Sequence, residues 1–182
     1  IASEEEGGAC QQNFVIVFTD GYYNGGPPHV GNADADNGVP YASDATNTLA
    51  DVAMYFYEND LDDNLVNMVP PNEFDEATHQ HMVTYGVTFG VTGTMDPDDF
   101  DLENGPYPTW PSPITQFNDK RFKIDDLWHT AINGRGIFLS ASNPQELIDA
   151  FLAVMQNIEA RIGSASSVSV NGDELYEKLS GD

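Results

Sequence analysis

NFVIVFTDG, from Asn13 to Gly21, is a continuous apolar run closed by Asp-Gly. A run with no polar alternation reads as a strand buried on both faces, as in a parallel sheet. Tyr22 to Ala42 is rich in Gly, Pro, Asn and Asp and reads as a long loop. Ser43 or Asp44 is placed to cap a helix carrying Leu49, Val52, Ala53, Phe56 and Tyr57 at helical spacing, ending near Asn59 or Asp60. Asp62 to Asp75 is a polar connection with Pro70-Pro71, and a short helix is expected over Asp75 to Gln80. HMVTYGVTFGV, His81 to Val91, repeats the buried-strand pattern. Thr92 to Asp119 is a second long loop, and Ile124 to Ile132 reads as a helix stopped by Asn133-Gly134. GIFLSA, Gly136 to Ala141, is a third strand, and Asn143-Pro144 opens a helix through Leu147, Ile148, Phe151, Leu152, Met155 and Ile158. A short alternating strand is expected at Val168 to Val170 and another beginning near Leu175. Strand, helix, strand, helix, strand, helix predicts an α/β fold: an open, mostly parallel sheet with flanking helices. Three strands are few against a typical sheet of about five to six. The organisation expected is a linker or loop over 1–12, a domain over 13–163 and a lead-out segment over 164–182.

Thirty acidic residues against six basic ones give a formal charge of −24 in 182 residues. A nucleic-acid binder needs a basic footprint, and an anionic membrane surface would repel this chain, so both partner classes are set aside. With 40% hydrophobic and 11% aromatic residues, a folded core is expected despite the charge. The single cysteine, Cys10, excludes an internal disulfide and a Cys-rich zinc site. No apolar run approaches the roughly 20 residues of a membrane span, so no direct span is expected. The start, IASEEEGGAC, has neither the basic nor the apolar part of a signal peptide. It reads as an interior or processed point of a longer protein.

Open α/β sheets place their sites beyond the carboxyl ends of the strands, which singles out Asp20. Asp-Gly is equally a turn pair. In GNADADNG, Gly31 to Gly38, the residues Asn32, Asp34 and Asp36 alternate like the first ligands of a calcium loop, with Asp44 one position late for the closing ligand. A solvated acidic loop is the plainer reading. Asp96 to Glu103 reads as solvated surface. His79 and His81 would share a face on a strand, without the ligand grouping a zinc site needs. Arg135 reads as a partner for a helix end. There is no G-x-S-x-G, P-loop or G-x-G-x-x-G signature, so no enzyme is expected.

NFVIVFTDG, TNTLADVAMYFYENDL, VTYGVTFGV, WHTAINGRGIFLSASNPQEL and SSVSVN together resemble the amino-terminal region of PilY-type proteins. These are type IV pilus tip adhesins and biogenesis factors, and that region is similar to a von Willebrand factor A domain. The resemblance runs from Cys10 to the end, and IDDLWHTAINGRGIFLSASNP is its most specific stretch. It implies a Rossmann-like fold that binds a divalent cation, Ca or Mg, at the carboxyl edge of the sheet. Asp20 matches the last Asp of that site. The D-x-S-x-S motif of the first strand is absent, so the resemblance implies the carboxyl-terminal half of the fold with its first strands missing. NGDELYEKLSGD resembles the lead-in to the family's β-propeller.

The implied function is attachment and pilus assembly at the cell surface or outside the cell. The implied partners are other pilus proteins, the missing half of the same protein, and a host or surface ligand. Cys10 could pair with a cysteine of that half or be buried and inert. The alternative is a structural filament or surface-layer subunit with no metal-dependent ligand. A metal-assisted hydrolase built on the acidic loops lacks a positioned nucleophile.

Overall fold

The computed structural model describes residues 1–116 and 118–179, with side chains through Gly163 apart from position 117. Strands β1 (Asn13–Thr19), β2 (Met82–Phe89) and β3 (Arg135–Ala141) form one parallel sheet in the order β1-β2-β3. Asn13 stands opposite Met82 and Thr19 opposite Thr88, and β3 pairs with β2 through an irregularity between Thr84 and Gly86. Helices α1 (Leu49–Glu58) and α2 (Phe122–Asn133) pack together on one face. Helix α3 (Pro144–Leu179) lies on the other. The result is the expected open α/β sheet, consistent with a partial Rossmann-like von Willebrand A arrangement.

Strand alternation divides the core between the two faces. Val83, Tyr85 and Val87 of β2 pack on Ala150 and Val154 of α3, with Phe14, Ile16, Ile137, Leu139, Leu147 and Ile158 around them. Thr84, Gly86 and Thr88 face the other way. A Cβ at Gly86 would lie 3.1 Å from the Leu127 carbonyl oxygen and 3.0 Å from the Phe138 ring, closer than ordinary contact, so its absence lets α2 approach the sheet.

Of the three strands, β2 alone has a strand on each edge. β1 is an edge strand and half-exposed, with Val15 at 38% and Phe18 at 47% exposure, whereas the sequence predicted burial on both faces. An apolar run reports that a strand faces apolar neighbours, and it cannot say whether those neighbours lie within the same segment of chain.

Helix α1 starts later than expected. Its cap is Thr48, in a box with Asp51, and not Ser43 or Asp44. Thr48-Leu49-Ala50-Asp51 satisfies two amides reciprocally, which Ser43 and Asp44 cannot do for a helix starting at Leu49. No helix forms over Asp75 to Gln80. Asn72 and Asp75 bridge across a tight turn, and the Asp75 carboxylate accepts the Ala77 amide, diverting the backbone from a helical ladder. α3 continues through Val168–Val170 and past Leu175, replacing the expected strands. A three-residue alternation with no partner strand leaves backbone groups unpaired that the helix satisfies internally. Residues 1–12 are folded onto the domain by short 3-10 turns at Glu4–Glu6 and Gly8–Cys10. The Ala9 carbonyl accepts from Met68 N and Gln80 Nε2. Cys10 is free and exposed.

Candidate functional site

Asp20 stands exposed just beyond the carboxyl end of β1. The turn is held by its neighbour: Thr19 Oγ1 takes the Gly21 amide at 3.2 Å and donates to the Gly21 carbonyl at 2.8 Å. The Asp20 carboxylate is therefore not used by the turn.

The loop from Asn32 to Asp44 is organised around one residue. Asp34 is fully buried. Its Oδ1 accepts the Ser43 amide at 3.0 Å and its Oδ2 accepts Asn133 Nδ2 at 2.9 Å, and His129 Nε2 lies 3.3 Å from Oδ2. Asn32 Nδ2 donates to the Ser43 carbonyl at 2.9 Å, while Asp36 and Asp44 are exposed. Asp34 thus ties the loop to the end of α2. Among the described residues, no group of three or more His, Cys, Asp or Glu side chains is arranged to hold a metal ion. Burial pushes the Asp34 carboxyl up to about 6, against the hydrogen bonds from Ser43 and Asn133.

Three further carboxylates share this face, and the sequence reading missed them. Asp126, on α2, accepts Tyr23 Oη at 2.7 Å, the Leu49 amide at 3.0 Å and the Ala50 amide at 3.3 Å. It supplies the negative charge that a helix N-terminus favours, from a different helix. Burial raises it to about 6, only partly offset by those donors. The same burial, with Asp126 beside it, raises the Tyr23 phenol. Asp51 accepts Ala33 N at 2.7 Å and both Thr48 N and Thr48 Oγ1 at 2.8 Å. Asp125 accepts Thr94 N at 2.8 Å and Thr94 Oγ1 at 2.6 Å, fixing the loop after β2. The Thr48-x-x-Asp51 box was visible in the sequence. Adjacent acids in an otherwise apolar helical stretch, Asp125 and Asp126, were the other available signal.

His129 is buried beside Asp34 and faces the Tyr41 carbonyl. Burial lowers it to about 4, so the imidazole is neutral at pH 7. Trp110 stacks on it at 4.1 Å and 10°, and also packs edge-on against Trp128 at 4.9 Å. Both tryptophans are thus packing residues.

A second polar cluster closes the opposite, amino end of β2. His81 faces Asp75 at 2.8 Å through Nε2 and the His79 carbonyl at 2.7 Å through Nδ1. Tyr57 Oη donates to Asp75 at 3.0 Å, and Arg161 of α3 lies 3.7 Å from it. Burial acts to raise Asp75, and its hydrogen bonds outweigh this and hold it below the usual carboxylate range. Both His81 nitrogens thus face protein oxygens. Arg135 lies between the Tyr41 and Tyr57 rings, 3.9 and 4.1 Å from their centroids. Its Nη1 donates to the Asn133 carbonyl at 2.9 Å, the helix-end role expected of it.

The open feature of the molecule is the β1 edge. On the α1 side, Val15, Val17, Val52 and Phe56 line an apolar cleft of about 260 Å³. On the α3 side, Phe18 packs on Phe151 at 5.8 Å, with Ile148, Leu152 and Met155 about half exposed nearby along α3.

Comparison with known proteins gives a consistent answer. The chain is 31% identical over 211 aligned residues to the type IV pilus biogenesis factor PilY1 of Pseudomonas aeruginosa strain PAK, an alignment covering 94% of this chain and 18% of the relative. It is 28% identical over 200 residues to PilY1 of strain UCBPP-PA14, covering 87% of this chain and 17% of that protein. The chain therefore spans less than a fifth of the length of these relatives. No family model matches the chain, and no solved structure matches it.

Proposed function

Taking the chain as what it is, a PilY-type sequence, we propose that it forms the pilus-associated α/β portion of a longer surface protein acting in type IV pilus biogenesis and attachment. The observation that supports this most directly is the similarity over 94% of the chain combined with the sheet's unpaired apolar edge at β1. A segment that is one part of a longer fold leaves such an edge. The rest of the polypeptide covers β1 and supplies the strands missing beside it. The protein acts with other pilus proteins and performs no catalysis.

Of the buried Asp34 and the exposed Asp20, only the second leaves its carboxylate open to a divalent cation. Both Asp34 oxygens already accept protein donors, whereas the Asp20 carboxylate is exposed and unused. One carboxylate does not make a calcium or magnesium site. Among the described residues no group of ligands fits an ion, and an ion at Asp20 would take its other ligands from beyond them.

The test is deletion of the region encoding residues 1–182 in the native bacterium, scored by sheared surface pili and by attachment to a solid surface. Loss of either supports the reading; unchanged pili and unchanged attachment overturn it. A filament or surface-layer subunit is the second reading, favoured by the same open rim, which a neighbouring copy could cover. Native mass measurement with and without chelator separates the two by copy number and ion count.

A further inference from the structure

We propose that the groove beside Lys120 and Lys123 seats an acidic segment of the same longer polypeptide. This rests on the reading that the remainder of that polypeptide covers the β1 edge. The chain has six basic residues. Arg135 is held between two tyrosine rings, and Arg161 is 1% exposed and bonded to Asn157 and the Arg135 carbonyl. Arg121 pairs with Asp119 at 2.7 Å. Lys178 lies outside the described side chains. The two lysines that remain line the same groove, of about 490 Å³.

The groove carries cations and no lining acid, in a chain that is acidic as a whole. Thirty of the 182 residues are acidic, about one in six, so some two acids are expected among thirteen lining residues. There is none. The walls are Tyr23, Gly25, Pro27 and Ile114, apolar or backbone surface beneath two ammonium groups. Lys123 is held in place: its Nζ donates to the Tyr23 carbonyl and sits 4.9 Å from the Tyr23 ring centroid. The Lys120 ammonium is exposed and makes no ion pair among the described residues. A cation left unpaired in so acidic a chain is available to an incoming carboxylate.

Continuity identifies the source of that carboxylate. Leu49 and Val52 line both this groove and the apolar cleft along β1. A segment covering the cleft therefore reaches the lysines without a break, with apolar side chains on Leu49 and Val52 and an Asp or Glu at Lys120. A second copy approaching from solution meets a charge of −24 with its own −24. A tethered segment is already at high effective concentration. A nucleic acid, with one charge per phosphate, is repelled more strongly still.

Carbodiimide coupling on the full-length protein tests this, because it joins a lysine amine to a carboxylate only where the two touch. An equal mixture of isotope-labelled and unlabelled protein distinguishes one polypeptide from two. The expected product is an amide between Lys120 or Lys123 and an Asp or Glu outside residues 1–182, within one isotopic population. It should be lost in Lys120→Arg with Lys123→Arg, which keeps the charge and removes the amine. Coupling only within residues 1–182, coupling between isotopic populations, or no coupling overturns the inference. Hydrogen exchange at β1 in the same protein keeps the two readings apart. Protected β1 amides without the cross-link defeat this inference alone, and exchange-exposed β1 amides defeat the reading beneath it.

Discussion

The interface between α1 and α2 and the outer edge of β1 invert the usual distribution of polar and apolar groups. The interface buries Asp34, Asp51, Asp125, Asp126 and His129, all at 3% exposure or less. The β1 edge exposes Val15 and Phe18, and the helix beside it exposes Ile148, Leu152 and Met155. Buried carboxylates are tolerated where each meets several donors, and here those donors are mainly the amides of loops and of the α1 N-terminus. Exposed apolar surface has no such internal remedy and is relieved only by cover from outside. One region is thus satisfied among the described residues, and the other is left open by them.

The strongest challenge to that contrast is isolation of the chain. Residues 1–182 alone should not behave as a stable monomer. Full burial of such a side chain contributes about 1.5–3 kcal/mol, so each of these half-exposed ones forgoes roughly half of that, and several lie along one rim. Light scattering with thermal unfolding should show association or a non-cooperative transition. A monodisperse monomer that unfolds cooperatively would show that the edge needs no cover.

The interface can be broken next, through Asp126→Ala. The substitution leaves the Tyr23 hydroxyl and the Leu49 and Ala50 amides without their shared acceptor. A loss of about 3 kcal/mol is expected, since buried donors to a charged group are left unmet. The readout is hydrogen exchange of the α1 amides in the full-length protein. Asp36→Ala, at an exposed position, should move the same amides by less than about 0.5 kcal/mol. Equal effects from the two variants would mean that the buried carboxylate is not what holds α1.

The three strands and the helices between them were legible because their signals are periodic and local, unlike the short segments at Asp75 to Gln80 and Val168 to Val170. NFVIVFTDG, VTYGVTFGV and GIFLSA each became a strand, and the parallel order followed from the helices between them. The exposure of β1 was not legible, because an apolar run looks the same in a central strand and in an edge strand. The spacing of Asn32, Asp34 and Asp36 suggested convergence on an ion. The fold instead turned Asp34 inward to Asn133, 99 residues away, and left Asp36 outside. Asp126 escaped notice because its partners, Tyr23 and the start of α1, lie 76 to 103 residues distant. No local spacing encodes such contacts.

Acidification sharpens the comparison with the smallest expected effect. Asp126 is raised from an ordinary 3.8 to about 6, by burial above all. As pH falls through 6, the folded state takes up a proton that the unfolded state still releases. This group therefore penalises folding fully at neutral pH, and the penalty is relieved between pH 6 and 4. His129 opposes it. Burial lowers its value from 6.5 to about 4, so the unfolded state gains its proton first and stability is lost on the way down from 6.5. The net slope of the natural protein mixes these two with Asp34, itself raised to about 6, and Asp126→Asn isolates one contribution by removing that carboxyl titration while keeping the side chain's size. The variant's stability relative to the natural protein should be highest at pH 7 and fall by about 2 kcal/mol by pH 4, given roughly 1.4 kcal/mol for each pH unit separating the folded carboxyl from the unfolded one. Thermal unfolding across that range, on the smallest folded fragment containing this chain, measures the difference. A difference that stays constant with pH would mean that Asp126 titrates normally and that water reaches it. The α1–α2 interface would then be as open as the β1 edge, and the contrast between the two regions would be lost.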